Sequence, residues 1–120
     1  MCIRDSLVAG QVHGGIVQGL GQAMGEHAIF EEESGQLING SYMDYHMPRA
    51  DEFPHLDLDF NEEAECTTNM LGAKGCGEAG TVASTTAYVN AVYDALSEYD
   101  FKELDMPITP MKVWKIINNN

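Results

Sequence analysis

Apolar side chains recur every fourth residue near the start of the chain, at Val12, Ile16, Leu20 and Met24. That period places them on one helix face, and the spacing predicts a helix from Gln11 to Glu26. Gly14, Gly15, Gly19, Gly21 and Gly25 interrupt it, each costing about 1 kcal/mol relative to alanine. A solitary helix would not tolerate that. The glycines make sense where a neighbouring backbone or a bound group packs against them. A second helical period covers Thr81 to Leu96, with Val82, Val89, Tyr93 and Leu96 on one face. Ala79, Ala83, Ala87 and Ala91 form a small-residue stripe that lets another helix or a bound group come close. Leu56-Asp-Leu58-Asp-Phe60 alternates, which predicts a strand with one buried face. Ala28 to Glu31 and Gln36 to Asn39 read as two short strands around a Glu33-Ser34-Gly35 turn. Ser41 to Pro54 is irregular, broken by Pro48 and Pro54, and Ser97 to Lys102 is a connector. Thr109-Pro110 is a cap and first-turn pair for a last helix, with Met111, Trp114 and Ile117 as its apolar edge. Asn118-Asn119-Asn120 reads as a natural end. The elements mix without β-α-β order, repeat or interdomain linker, so the expected class is α+β.

The length, 120 residues, allows one small domain, and a 44% apolar content suffices for a core in an intact fold. The charge changes the functional picture. Six basic residues against 19 acidic ones leave a net −13. That excludes a nucleic-acid surface, which needs clustered Lys and Arg, and adhesion to an anionic membrane. No apolar run is long enough for a transmembrane helix, and no signal peptide is visible. Cys2, Cys66 and Cys76 form no C-x-x-C pair. An odd, unpatterned count fits a reducing, cytoplasmic compartment. Asp57, Asp59 and Asn61 imitate the start of a calcium loop, but Glu62 and Thr68 occupy the positions that require glycine and glutamate, so an EF-hand is rejected. Asn61 to Glu65 reads as a solvated acidic turn. No second ligand is spaced with His13, which reads as a packing or surface histidine. Tyr42 and Tyr45 suit core packing or the wall of a substrate funnel.

The chemistry concentrates in Leu71-Gly72-Ala73-Lys74-Gly75-Cys76-Gly77-Glu78-Ala79-Gly80. Glycines permit close backbone approach, and the helix start that follows offers N–H donors and a partial positive charge. That combination suits an oxygen-rich or anionic ligand. A glutamate beside such a site needs a task, such as proton transfer. Cys76 is a small filler or a reactive thiol. Three readings compete. One is a tight loop whose solvated glutamate is favoured by the helix dipole. Another is a dinucleotide fingerprint, because Gly75-Cys-Gly77-Glu-Ala-Gly80 satisfies G-x-G-x-x-G and Asp100 lies about twenty residues on. That fingerprint requires a buried strand before the loop, and Thr67 to Gly72 makes a poor one. A Walker A loop fails, since Lys74 lacks the required neighbours.

The third reading comes from resemblance. Lys74-Gly-Cys-Gly-Glu78-Ala-Gly80 resembles the K-x-x-G-E segment near the C-terminus of the xanthine dehydrogenase/aldehyde oxidase/carbon monoxide dehydrogenase family. Gln11-Val-His-Gly14-Gly15-Ile-Val-Gln18-Gly19-Leu-Gly21-Gln22-Ala23 resembles that family's glycine-rich helix. Ser41-Tyr-Met-Asp44-Tyr45-His-Met-Pro48-Arg49-Ala50 and Asp105-Met-Pro107-Ile-Thr109-Pro110 match it as well. The four segments keep the family's order over nearly all of Ala9 to Ile117.

The resemblance implies part of a molybdenum hydroxylase: residues 7–120 as the C-terminal part of a molybdopterin-binding domain, built from a Gly-rich helix, short strands, a Gly-rich loop leading into a long helix, and a C-terminal helix. Such an enzyme hydroxylates an aldehyde, purine or N-heterocycle carbon with water-derived oxygen. Glu78 falls at the general base, Gln11 at a pterin hydrogen-bonding position, and Lys74, Gly75, Cys76 and Gly77 at the cofactor's polar groups. No protein residue is implied as a metal ligand. The implied cofactor is molybdenum–molybdopterin, in its simple or cytosine dinucleotide form. FAD and [2Fe-2S] clusters are implied on partner subunits, so the partners are the rest of the molybdenum subunit, FAD-binding and iron–sulfur subunits and a small-molecule substrate. Taken alone, the chain is expected to be inactive. Met1 to Ser6 departs from the family and resembles the translation of a sequencing-library transposon end, and is read as non-native. The alternatives are a non-catalytic binding or assembly module that keeps the fold, and a nucleotide-binding glycine-loop protein.

Overall fold

The computed structural model describes residues 5–61 and 63–118. Met1 to Arg4, most of the stretch read as non-native, lie outside them, as do Glu62, Asn119 and Asn120. Three α-helices make up the regular structure of the described residues: α1, Asp5–Met24; α2, Thr81–Ala95; and α3, Pro110–Ile117. A single 3-10 turn, Ala50–Glu52, lies in the long connection between α1 and α2. The first helix begins six residues before the predicted start at Gln11, because Leu7 and Val8 continue an uninterrupted helical run and no breaker precedes Gly10.

α1 and α2 pack directly against each other, and the glycines explain how. A methyl group on Gly15 would lie 3.1 Å from the Gly80 Cα and from the Thr81 nitrogen. One on Gly19 would collide with the Ser84 and Thr85 hydroxyls. Thr85 Oγ1 instead donates across the interface to the Gly19 carbonyl at 3.0 Å. Helix backbones this close need glycine at the crossing, and the gain in packing offsets the propensity cost. Gly10 and Gly14 face open space.

The apolar core lies at the other end of α2. Leu96, Leu104 and Ile108 are buried, with Tyr88, Val89, Val92, Phe101, Val113 and Ile116 against them. Residues 101–109 run between α2 and α3 and supply two of these core residues. Leu104 N donates to the Tyr93 hydroxyl at 3.0 Å, and Ile108 N donates to the Ala23 carbonyl at 2.6 Å. The second bond ties the end of α1 to the core. Thr109 caps α3 as predicted: it is extended, its hydroxyl accepts from Lys112 N, and Pro110 opens the helix. Val82 departs from the predicted buried face and is exposed, because α1 crosses α2 on the Gly80–Ser84–Thr85 side.

The strands are the main correction. Among the described residues no strand forms, and the architecture is mostly helical. Ala28 to Glu31 and Gln36 to Asn39 do turn back on each other about Gly35, which has φ +70°. Glu31 N bonds Gln36 O and Ile38 N bonds Ile29 O, but the ladder amounts to one bridge, Phe30 to Leu37. Asn39 fastens its base by accepting from Ile29 N. Leu56 and Leu58 are half-buried while Asp57 and Asp59 are exposed, so the alternation holds over these four, but Phe60, expected on the same buried face, is exposed. No neighbouring backbone pairs with this stretch among the described residues. A strand requires a partner strand as well as a period.

The molecule is also spread out. Its radius of gyration is 18.5 Å, against about 14 Å for a compact domain of this length. It exposes 9649 Å², against about 6,400 Å² for a self-contained protein of this mass. Ile29, Phe30, Ile38, Tyr42, Met43, Met70 and Leu71 all lie open.

Candidate functional site

The glycine loop rests on α1 through its last residue. Gly80 is buried, and a side chain there would meet the Val12 carbonyl and, at 2.7 Å, the Ile16 nitrogen. Gln11, adjoining Val12, and Glu78, two residues before Gly80, are therefore carried by elements that meet at this crossing. Both side chains are exposed, and no hydrogen bond joins them. A continuous apolar groove runs beside the crossing, lined by Val12, Ile16, Leu20, Ala83, Ala87 and Tyr88. The small-residue stripe read from the sequence thus forms its wall.

The loop itself has two halves. In the first, Asn69 Oδ1 accepts from Leu71 N at 3.1 Å and Ala73 N at 3.0 Å, and Nδ2 donates to the Ala73 carbonyl at 3.0 Å. Gly72 turns the chain with φ +63°, a conformation that favours glycine. Lys74 Nζ donates to the Ala64 carbonyl. In the second half, Gly75 and Gly77 have open space around their Cα atoms. Among the described residues no group of the chain accepts from the N–H of Gly75, Cys76, Gly77 or Glu78. The helix start is less free than expected. Thr81 N and Val82 N donate to the Glu78 carbonyl at 3.1 and 3.2 Å. Two of the donors predicted for an anion are thereby used, and the free ones sit one turn earlier.

The dinucleotide reading fails on its structural condition. The residues before Gly75 form a turn, and Met70 and Leu71 are fully exposed where a buried strand is required. His13 is a packing histidine, as read: its Nε2 donates to the Leu56 carbonyl at 3.0 Å and its ring meets His55 edge-on. Tyr42 is exposed and lines nothing, whereas the Tyr45 hydroxyl donates to Glu26 at 3.1 Å. Desolvation, then the Glu26 carboxylate, push the Tyr45 pKa up. No cluster of three or more metal-ligating side chains exists among the described residues. None of their helices is long and apolar enough to cross a membrane.

Sequence reasoning passed over Asn69 and Cys66. The Cys66 thiol faces Thr68 Oγ1 at 3.1 Å and receives Asn69 Nδ2 at 3.3 Å. Hydrogen bonding from Thr68 is the main cause that lowers its pKa. Asn69 with Gly72 three residues on, the first and fourth positions of a turn, is a signal that could have drawn attention to this segment.

The free loop donors, the open glycines and the exposed Gln11 amide fit a flat group with a polar edge that alternates donors and acceptors, as a pterin has. A molybdopterin cofactor-binding domain family matches residues 2–54. The chain is 39% identical over 105 residues to the gamma subunit of the 6-hydroxypseudooxynicotine dehydrogenase complex of Paenarthrobacter nicotinovorans, covering 88% of this chain and 13% of that protein. It is 35% identical over 118 residues to the carbon monoxide dehydrogenase large chain of Hydrogenophaga pseudoflava, covering 98% of this chain and 14% of the relative. The solved structure of a Cu,Mo-CO dehydrogenase superposes with TM-score 0.86 and 31% identity over 98% of this chain and 14% of that one. The chain thus spans about one seventh of the relatives' length. Sequence and fold agree, and the chain belongs to the xanthine dehydrogenase/aldehyde oxidase/carbon monoxide dehydrogenase family of molybdopterin-binding large subunits.

Proposed function

We propose that this chain is the part of a molybdenum hydroxylase subunit that grips the cofactor and carries the general base, Glu78. The observation that carries the reading is the run Gly75–Glu78. It has unengaged N–H groups, open glycines and one carboxylate, on a loop packed at Gly80 against the helix that bears Gln11. The exposed Gln11 amide and the Gly75, Cys76 and Gly77 main chain would hold the polar edge of the pterin. Lys74 supplies the loop's one positive charge from its stem. When bound, molybdenum–molybdopterin, in its simple or cytosine dinucleotide form, supplies the oxidising centre for hydroxylation of an aldehyde, purine or N-heterocycle carbon. Glu78 accepts the proton released as the water-derived oxygen becomes nucleophilic. The [2Fe-2S] clusters and FAD of partner subunits in a cytoplasmic complex would supply the electron acceptors. Residues 7–120 act with the rest of the subunit and do not turn over alone.

The test is Glu78→Gln in the complete molybdenum subunit assembled with its partners. Glutamine keeps the shape and removes the base. Turnover should fall by about 10²–10⁴-fold while molybdenum content stays at the parent level. Unchanged turnover would exclude Glu78 as the base and favour a non-catalytic module.

A further inference from the structure

The glycine loop is shaped by a side chain to which the proposed chemistry gives no role. Asn69 makes three side-chain hydrogen bonds to the Leu71 and Ala73 main chain, and its own carbonyl accepts from Gly72 N at 3.2 Å. Four bonds on one residue define the turn from 69 to 73. Lys74 then closes onto Ala64. Between this stem and the Ala79–Gly80 contact with α1, the run Gly75–Glu78 has no partner for its N–H groups among the described residues. Its rear end is tied to the start of α2, where the Cys76 carbonyl accepts from Ala79 N and the Glu78 carbonyl from Thr81 N and Val82 N, and Gly80 packs on α1. The front end is Asn69.

We propose that Asn69 is a positioning residue for Glu78, which it holds by fixing the direction in which the glycine loop leaves residue 73. The proposal rests on the reading of Glu78 as general base. A base must lie within about 2.6–3.2 Å of the proton it takes, and a misplacement of about 1 Å costs on the order of 10²-fold in rate. Gly72, Gly75 and Gly77 give the loop wide backbone freedom. An Asn69-shaped turn removes that freedom on one side, before any substrate binds. Lys74 alone would not do so, since one flexible side chain on a carbonyl fixes a distance but no direction.

The experiment uses the complete molybdenum subunit with its partners and two variants. Asn69→Ala removes all three side-chain bonds to the loop main chain, together with the donation to Cys66 Sγ. Asn69→Asp keeps the oxygen that accepts from Leu71 and Ala73 and loses the Nδ2 donations to the Ala73 carbonyl and to Cys66 Sγ. Hydrogen exchange at Leu71 and Ala73, molybdenum content, melting temperature, kcat and KM are read for each. For Asn69→Ala, exchange at both amides should quicken about fivefold and kcat should fall about tenfold. KM, molybdenum content and melting temperature should stay at parent values. Asn69→Asp should restore the protection and most of kcat. The assignment is overturned if exchange is unchanged, or if kcat falls only in step with lost molybdenum or lost folded protein. It is also overturned if Asn69→Ala keeps full kcat while Glu78→Gln abolishes turnover. A Glu78→Gln enzyme that still turns over overturns the base reading, and the Asn69 assignment with it, whatever the amides do.

Discussion

Replacing Gly80 by alanine would drive a methyl group into the main chain of α1. The added carbon would overlap the Val12 carbonyl, lie 2.7 Å from the Ile16 nitrogen and 3.1 Å from the Gly15 carbonyl carbon. None of these atoms belongs to a flexible side chain. Bringing Ile16 N out to the 3.4 Å of ordinary contact parts the helices by roughly 0.7 Å, and clearing the Val12 carbonyl takes more, which also loosens the packing at Gly15 and Gly19. Overpacking of this kind costs about 1–3 kcal/mol. The backbone of Gly80 is already right-handed, with φ −68°, so relief of strain does not complicate the sign. Gly14 provides the control. It lies inside the same helix with nothing within 4 Å, so Gly14→Ala should stabilise by about 1 kcal/mol from propensity alone. Urea titration followed by far-UV circular dichroism reads both. With a slope of about 1–3 kcal/mol per molar, Gly80→Ala should lower the midpoint by about 1 M and Gly14→Ala should raise it. A Gly80→Ala midpoint at or above that of the parent would refute the close backbone crossing and, with it, the placement of Glu78 beside the Gln11 helix.

Further outcomes follow from the core and the loop. Ile108 is only 2% exposed and joins α1 to the core, so Ile108→Ala should destabilise by about 3 kcal/mol in the same titration; a midpoint shift within error would place the core elsewhere. Hydrogen bonding from Thr68 lowers the Cys66 pKa and makes its thiolate available at lower pH than that of an unperturbed thiol. The pH profile of iodoacetamide labelling at Cys66 should therefore have its midpoint below that of a cysteine in an unstructured peptide. Thr68→Ala, which removes the main stabilising bond, should move the midpoint up, and an unmoved profile would show that Thr68 does not set it.

The helices and the identity of the loop were legible in the residues because both depend on local order. A four-residue apolar period at Val12, Ile16, Leu20 and Met24 makes an amphipathic helix wherever it occurs, and Thr109-Pro110 caps a helix through atoms within one turn. The Gly75–Gly80 run, with Lys74 before it and Glu78 within it, marked the stretch proposed as the site without any fold. Tertiary structure decided what depends on partners. Leu56 to Phe60 has the alternation of a strand, yet a strand needs a neighbour to receive its hydrogen bonds, and none of the described backbone supplies one. The α1 glycines announced a close approach without saying to what; Gly80, Ser84 and Thr85 turned out to be the answer. Asn69 offered the sequence only a turn signal, because a positioning role is a matter of direction. Three bonds of about 3 Å from one side chain to the next turn of its own backbone exist only once that turn has formed. Residue type and spacing therefore determined which groups are proposed to carry the chemistry, and the folded chain alone decided what surrounds them.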